Sequence, residues 1–169
     1  MKILGALLAF SSCFSVGMVS VAAAKRRIRT LKVLIMAIER MSVELSSRLT
    51  PIPEIVGLLS HSKKGGAEDF FTELSARISE LGEIELSELW RECAEQVLTA
   101  LSADELCDFA ALGCVLGRGD LSSQLSALNH CKLRLDEALN AARGELSQKS
   151  RLCLGVSGSI GLMLVIMLI

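Results

Sequence analysis

Charge is excluded from both ends of the chain. Residues 3–24 and 152–169 carry no charged side chain, and every charged side chain except Lys2 lies between them. The first run is 22 residues and the second 18. As helices they rise about 33 Å and about 27 Å, against a hydrocarbon core of about 30 Å. The pattern predicts a transmembrane helix over 3–24, one soluble domain over 25–151 and a C-terminal transmembrane helix over 152–169.

Inside the domain, apolar residues recur at steps of three and four, the mark of helices with one buried stripe. Over 30–49 the stripe is Leu31, Leu34, Ile38, Met41, Leu45 and Leu49. Thr50-Pro51-Ile52-Pro53 stops that helix, since each proline disfavours the α conformation in the residue before it. Pro53 then opens a short helix over 54–61, and 62–66 is a loop. A third helix is expected over 67–81, ended by Gly82, and a fourth over 86–101, carrying Trp90. Ser102 and Glu105 form a capping box that opens a fifth helix to 116. After a turn at 117–120, with Asp120 as N-cap, the last helix shows Leu121, Leu125, Leu128, Leu135, Leu139, Ala142 and Leu146. That rhythm is close to a heptad, with Lys132 interrupting it. Apart from Gly144, no Pro or Gly separates this helix from the second apolar run. There is no Tyr and no alternating β-branched stretch. The fold class is all-α: a cytoplasmic helical bundle of about six helices flanked by N- and C-terminal transmembrane helices. Both chain ends enter the bilayer on the same side of the bundle, which leaves the acidic middle away from it.

Charge supplies the orientation. Lys25, Arg26, Arg27, Arg29 and Lys32 follow the first run, and Lys149 and Arg151 precede the second. The more basic flank stays in the cytoplasm, so both flanks place the domain there. Val21-Ala22-Ala23-Ala24 also looks like the small-residue end of a signal peptide. Cleavage after Ala24 would make this an exported small helical protein, against which the cations argue. If exported, Cys93, Cys107, Cys114 and Cys131 could form two disulfides in three pairings. In a reducing cytoplasm they are small buried hydrophobes. There is no C-x-x-C, and His61 and His130 are far apart, so neither a metal nor another cofactor is expected. From Glu68 to Asp108 there are twelve acids and two bases, a local net of −10. This suggests an acidic far side, either a solvated surface or a docking face for a basic partner. Glu83, Glu85, Glu88 and Glu92 are its candidate contacts. The sign is wrong for nucleic acid, while the flanking cations suit anionic lipid.

Catalytic signatures are missing. The segment 113–119 is glycine-rich but lacks the lysine and hydroxyl of a phosphate loop, and neither H-E-x-x-H nor G-x-S-x-G occurs. A non-enzyme without a small-molecule substrate is expected. Arg118-Gly119-Asp120 matches an integrin-binding tripeptide but has a structural use as turn and cap. Gly155, Gly158 and Gly161 recur in the second apolar run. They suit close packing against the first run or another subunit, or reflect the ordinary tolerance of membrane helices for glycine.

Two segments carry a resemblance. Leu49-Thr50-Pro51-Ile52-Pro53-Glu54 follows an anchored amphipathic helix, and Leu112-Gly113 precedes Leu116-Gly117, Asp120 and Gln124. Lys149 leads into Leu154-Gly155 and a terminal Val165-Ile166-Met167-Leu168-Ile169. From end to end the chain resembles the stage III sporulation protein AB family of endospore-forming Firmicutes. Its marks are an L-T-P-L-P-E-like turn and an L-G-x-x-L-G-x-S-D-x-x-x-Q-like stretch, with Gly119 here where the family usually has Ser. The resemblance implies the mother-cell membrane facing the forespore. It implies a channel-like assembly needed for endospore formation, and a domain similar to those of type II secretion and type IV pilus platform proteins. The implied partners are a cytoplasmic secretion-type ATPase and other membrane subunits. No catalytic residue is implied. Leu49, Thr50, Pro51, Pro53, Glu54, Leu116, Gly117, Asp120 and Gln124 are motif positions that serve either the fold or partner contact. A platform protein of a pilus or secretion system proper is the neighbouring alternative, but such chains usually duplicate the helical domain, and no duplication is visible.

Overall fold

Two long helices frame the domain. In the computed structural model, α1 spans Lys2–Arg48 and α7 spans Leu121–Leu168. The structure describes residues 2–61, 67–118 and 120–168, with side chains for 19–61, 67, 69–118 and 120–148. The helices pack along each other in antiparallel fashion. Lys132 Nζ meets Glu39 Oε1 at 2.6 Å midway, and Arg27 reaches Glu145 at 3.8 Å nearer their free ends. The hairpin thus has an open end, where both helices continue into the apolar runs, and a closed end at Arg48 and Leu121. Among the described residues no helix is long and apolar enough to cross a membrane. The predicted membrane helices over 3–24 and 152–169 lie, except for 19–24, outside the described side chains, as does the Gly155, Gly158 and Gly161 stripe.

Five shorter helices fill one side of the hairpin: α2 (Ile52–Ser60), α3 (Ala67–Ala76), α4 (Leu86–Val97), α5 (Ala103–Ala110) and the single turn α6 (Leu112–Val115). α3 packs on α1, α5 and α6 pack on α7, and α4 sits between these two groups. The all-helical expectation holds, and no strand occurs among the described residues. The core gathers Leu31, Leu34, Ile38 and Met41 of α1, the aromatic residues, and Leu128, Cys131, Leu135 and Leu139 of α7. Each such side chain contributes about 1.5–3 kcal/mol when fully removed from water.

Several boundaries differ from expectation, each for a local reason. α2 begins at Ile52, not 54, with Pro51 as its N-cap. Ile52 is helical although a proline follows, and its side chain is buried. The third helix stops at Ala76, and a 3-10 turn (Ile78–Glu80) follows before Gly82 at φ 124°. There Arg77 turns out to hold Glu80 at 2.8 Å and Glu92 at 3.1 Å. The fourth helix ends at Val97, with Leu98 buried as its cap. The fifth is broken at Ala111, where the Trp90 indole N–H donates to the Phe109 carbonyl at 3.1 Å, a carbonyl that a continuous helix would use for its own ladder. In α7 the heptad place next to Lys132 is filled by buried Cys131, while Lys132 turns to Glu39. The expectation that all four domain cysteines are buried holds for Cys93 and Cys131 only; Cys107 and Cys114 are exposed. Burial, helped by nearby Asp108, pushes the Cys131 thiol up to about 12.

Candidate partner-docking site

The closed end collects residues that are scattered in sequence. The register set by Arg27–Glu145 and Glu39–Lys132, carried onward, sets Leu49 level with the first turn of α7. The turn before α7 is reached from another direction by α4. Arg118 pairs with Glu85, and the Leu86 side chain lies 3.4 Å from where a Cβ on Gly117 would stand. Segments 83–88 and 116–124 therefore meet, and 49–54 lies level with them at the same end of the bundle.

Each turn has its own physical cause. α1 does not run into the prolines; it stops at Leu49, which adopts φ 53°. Leu49 was expected in the buried stripe, yet it is 68% exposed, because the left-handed residue swings its side chain off the helix face. A left-handed conformation costs an L residue other than glycine about 1–2 kcal/mol. The Thr50 amide reaches back to the Glu44 carbonyl at 3.5 Å, and Ile55 N–H bonds Pro51 O at 3.1 Å to start α2. Pro51, Pro53 and Glu54 are exposed.

In the second segment, Leu116 is buried and Gly117 takes φ 86°, open to glycine without strain. Asp120 caps α7 as expected. Its carboxylate accepts from the Ser122 hydroxyl at 2.5 Å and from the Ser123 hydroxyl. These two hydroxyls, with the Ser123 amide, hold it below its ordinary range. Gln124 donates its amide to Asp120 O at 3.1 Å. Gly113, one turn earlier, faces Trp90, and a Cβ there would lie 2.7 Å from the Trp90 Cβ. Leu112, Gly113, Leu116 and Gly117 are thus accounted for by packing and turn geometry.

The four glutamates do not behave alike. Glu83 and Glu88 are exposed and make no ion pair among the described residues. Glu85 is held by Arg118, and Glu92 lies further along α4 in the grip of Arg77. Much of the acidic excess is neutralised by cations brought from elsewhere. Arg118 takes Glu85, Arg134 takes Asp108, and Arg27 takes Glu105, while Arg91 within the segment takes Glu95. The acids accordingly do not form one far face, because Glu105 sits near the open end.

Glu105 was anticipated only as the capping partner of Ser102. That box is present, with Ser102 N–H to Glu105 Oε2 at 2.8 Å and Glu105 N–H to Ser102 Oγ at 3.4 Å. The same buried carboxylate also takes Arg27 Nη2 at 2.6 Å and Nε at 3.1 Å. Burial works against its charge, but the Arg27 guanidinium and the Ser102 amide more than offset this and hold the carboxyl below its usual range. Arg27 belongs to a run of five cations, and nothing local in sequence distinguishes it from Arg26 or Arg29.

A model of the stage III sporulation protein AB family matches residues 2–169. No curated protein and no solved structure matches the chain.

Proposed function

The chain belongs to the stage III sporulation protein AB family, and on that premise we propose that it is a non-enzymatic platform component of a membrane assembly in endospore formation. In this proposal residues 3–24 and 152–169 anchor it in the mother-cell membrane facing the forespore. The helical domain then stands in the cytoplasm and couples a secretion-type ATPase to other membrane subunits of the complex.

The observation that carries this is the antiparallel hairpin. Its two helices continue into both apolar runs at the same end, so one bilayer can receive both. From Lys25 to Arg48 the helix rises about 35 Å, which sets the closed end well clear of the headgroups and within reach of a soluble partner. The exposed carboxylates of Glu83 and Glu88 give that end an unneutralised negative charge.

Charge reversal among Glu83, Glu85, Glu88 and Glu92 tests the docking face. Glu83→Lys with Glu88→Lys is the cleaner pair, since Glu85 and Glu92 also serve internal ion pairs. Loss of the ATPase from a low-salt pull-down is expected, and undiminished recovery would overturn the assignment. A topology reporter inserted at Lys63 separates the anchored arrangement, active in the cytoplasm, from an exported domain, active outside.

A further inference from the structure

We infer that Leu49 is the apolar anchor with which the closed end engages a soluble protein partner, one presenting an apolar socket edged by Lys or Arg. Leu49 breaks two local preferences at once. It is a branched residue at φ 53°, where glycine or asparagine is the usual helix stop. It is also a large hydrophobe left 68% in water. A glycine would relieve the backbone, and a polar side chain would suit the exposure. The fold thus draws nothing from this leucine that other residues would not supply better. Strain of this kind is kept at positions that bind.

The surroundings define the occupant. Leu121, at the start of α7, is also exposed at this end. Glu54 and Asp120 are exposed carboxylates with no cationic partner among the described residues, whereas Arg48, itself exposed, lies 3.5 Å from Glu44, and Arg118 pairs with Glu85. With each arginine counted against its partner, Glu54, Glu83, Glu88 and Asp120 leave this end net negative among the described residues. A second copy meeting end to end would set carboxylate against carboxylate. Anionic lipid is disfavoured in the same way and, with the apolar runs in the bilayer, is about 35 Å away. A soluble protein with a basic-edged apolar pocket meets both features. This inference rests on the two apolar runs being anchors and on the closed end facing the cytoplasm.

The test separates fold from contact. A photo-crosslinking side chain is placed at position 49 of the full chain in sporulating cells, with position 36, an exposed methionine of mid-α1, as control. A crosslink from 49 and not 36 to one soluble protein is expected. That protein, purified, is titrated against the full chain in nanodiscs. Leu49→Gly should weaken binding at least tenfold while raising Tm by about 2–4 °C, and Leu49→Asn should do the same. Affinity within twofold of the parent, or a fall in Tm for both variants, would overturn the inference by showing the leucine to be unused or structural. Crosslinks to lipid or to a second copy would overturn the assigned occupant. If binding survives Leu49→Gly but is lost in Glu83→Lys with Glu88→Lys, the anchor fails and the acidic docking face stands. Cytoplasmic silence of the Lys63 reporter overturns the topology on which both depend.

Discussion

Trp90 is the side chain around which the small helices are arranged. It meets Phe70 at 5.0 Å and Phe109 at 5.3 Å between ring centroids, gives its N–H to Phe109, and lies against Gly113. Gly113→Ala should therefore destabilise the domain by about 1–3 kcal/mol through overpacking, measured by thermal unfolding of the full chain in detergent. Glu105→Gln leaves the Arg27 guanidinium only the more distant, exposed Glu145 as counter-charge and should cost about 2 kcal/mol. The pH response carries its signature. Folding lowers the Glu105 pKa below its ordinary 4.5, so the stabilisation is complete above that value and disappears as pH falls through the folded value. The parent should lose Tm more steeply than Glu105→Gln on acidification below about pH 5; parallel curves would dismiss the assignment. Caps were legible at this scale, because Ser102, Glu105 and Asp120 act on their own neighbours. Leu49 was not, since its left-handed turn takes it off a stripe that its spacing fits. The Arg27–Glu105 pair spans 78 positions, and no local pattern announces such a distance.

Among the elements, the α1–α7 hairpin governs the rest. Its stripe of Leu31, Leu34, Ile38, Met41 and Leu45 was readable from periodicity, and all five are buried. The breaks in the shorter helices were not, because they depend on tertiary hydrogen bonds such as Trp90 to Phe109 and Arg77 to Glu92. The register is pinned in the middle by Glu39 and Lys132, and the carboxylate of Glu39 raises the lysine pKa by hydrogen bonding. Glu39→Lys should lower Tm, and adding Lys132→Glu should restore it. Failure of the double exchange to recover would show that the two residues act separately.

For the whole molecule, composition located the charge but not its use. The segment from Glu68 to Asp108 looked like one acidic face, yet the chain passes both ends of the bundle within it. Arg27, Arg118 and Arg134 from outside the segment neutralise Glu105, Glu85 and Asp108. What remains without an ion pair among the described residues is a smaller negative patch at the closed end. Binding through Glu83 and Glu88 should weaken as salt rises from about 0.05 to 0.3 M, since exposed charges are screened over about 10 Å at 0.1 M. A salt-independent pull-down would point instead to apolar contact alone. The three segments at this end are far apart in sequence, and the antiparallel register and the packing of α4 set them at one level.

The Arg27–Glu105–Glu145 cluster has a mechanical consequence. It straps α1, α5 and α7 together just beyond the last charged residues before the apolar runs. To part the two long helices at that level, a buried carboxylate must give up its guanidinium, an uncompensated charge that resists separation. To rotate α1 about its own axis, the α5 capping box must be dragged with it. From the strap to the closed end, the Glu39–Lys132 pair and the shared core tie the two legs and the bundle into one body. In the proposed anchored arrangement, a tilt imposed at the feet would be carried, undivided, to the opposite tip.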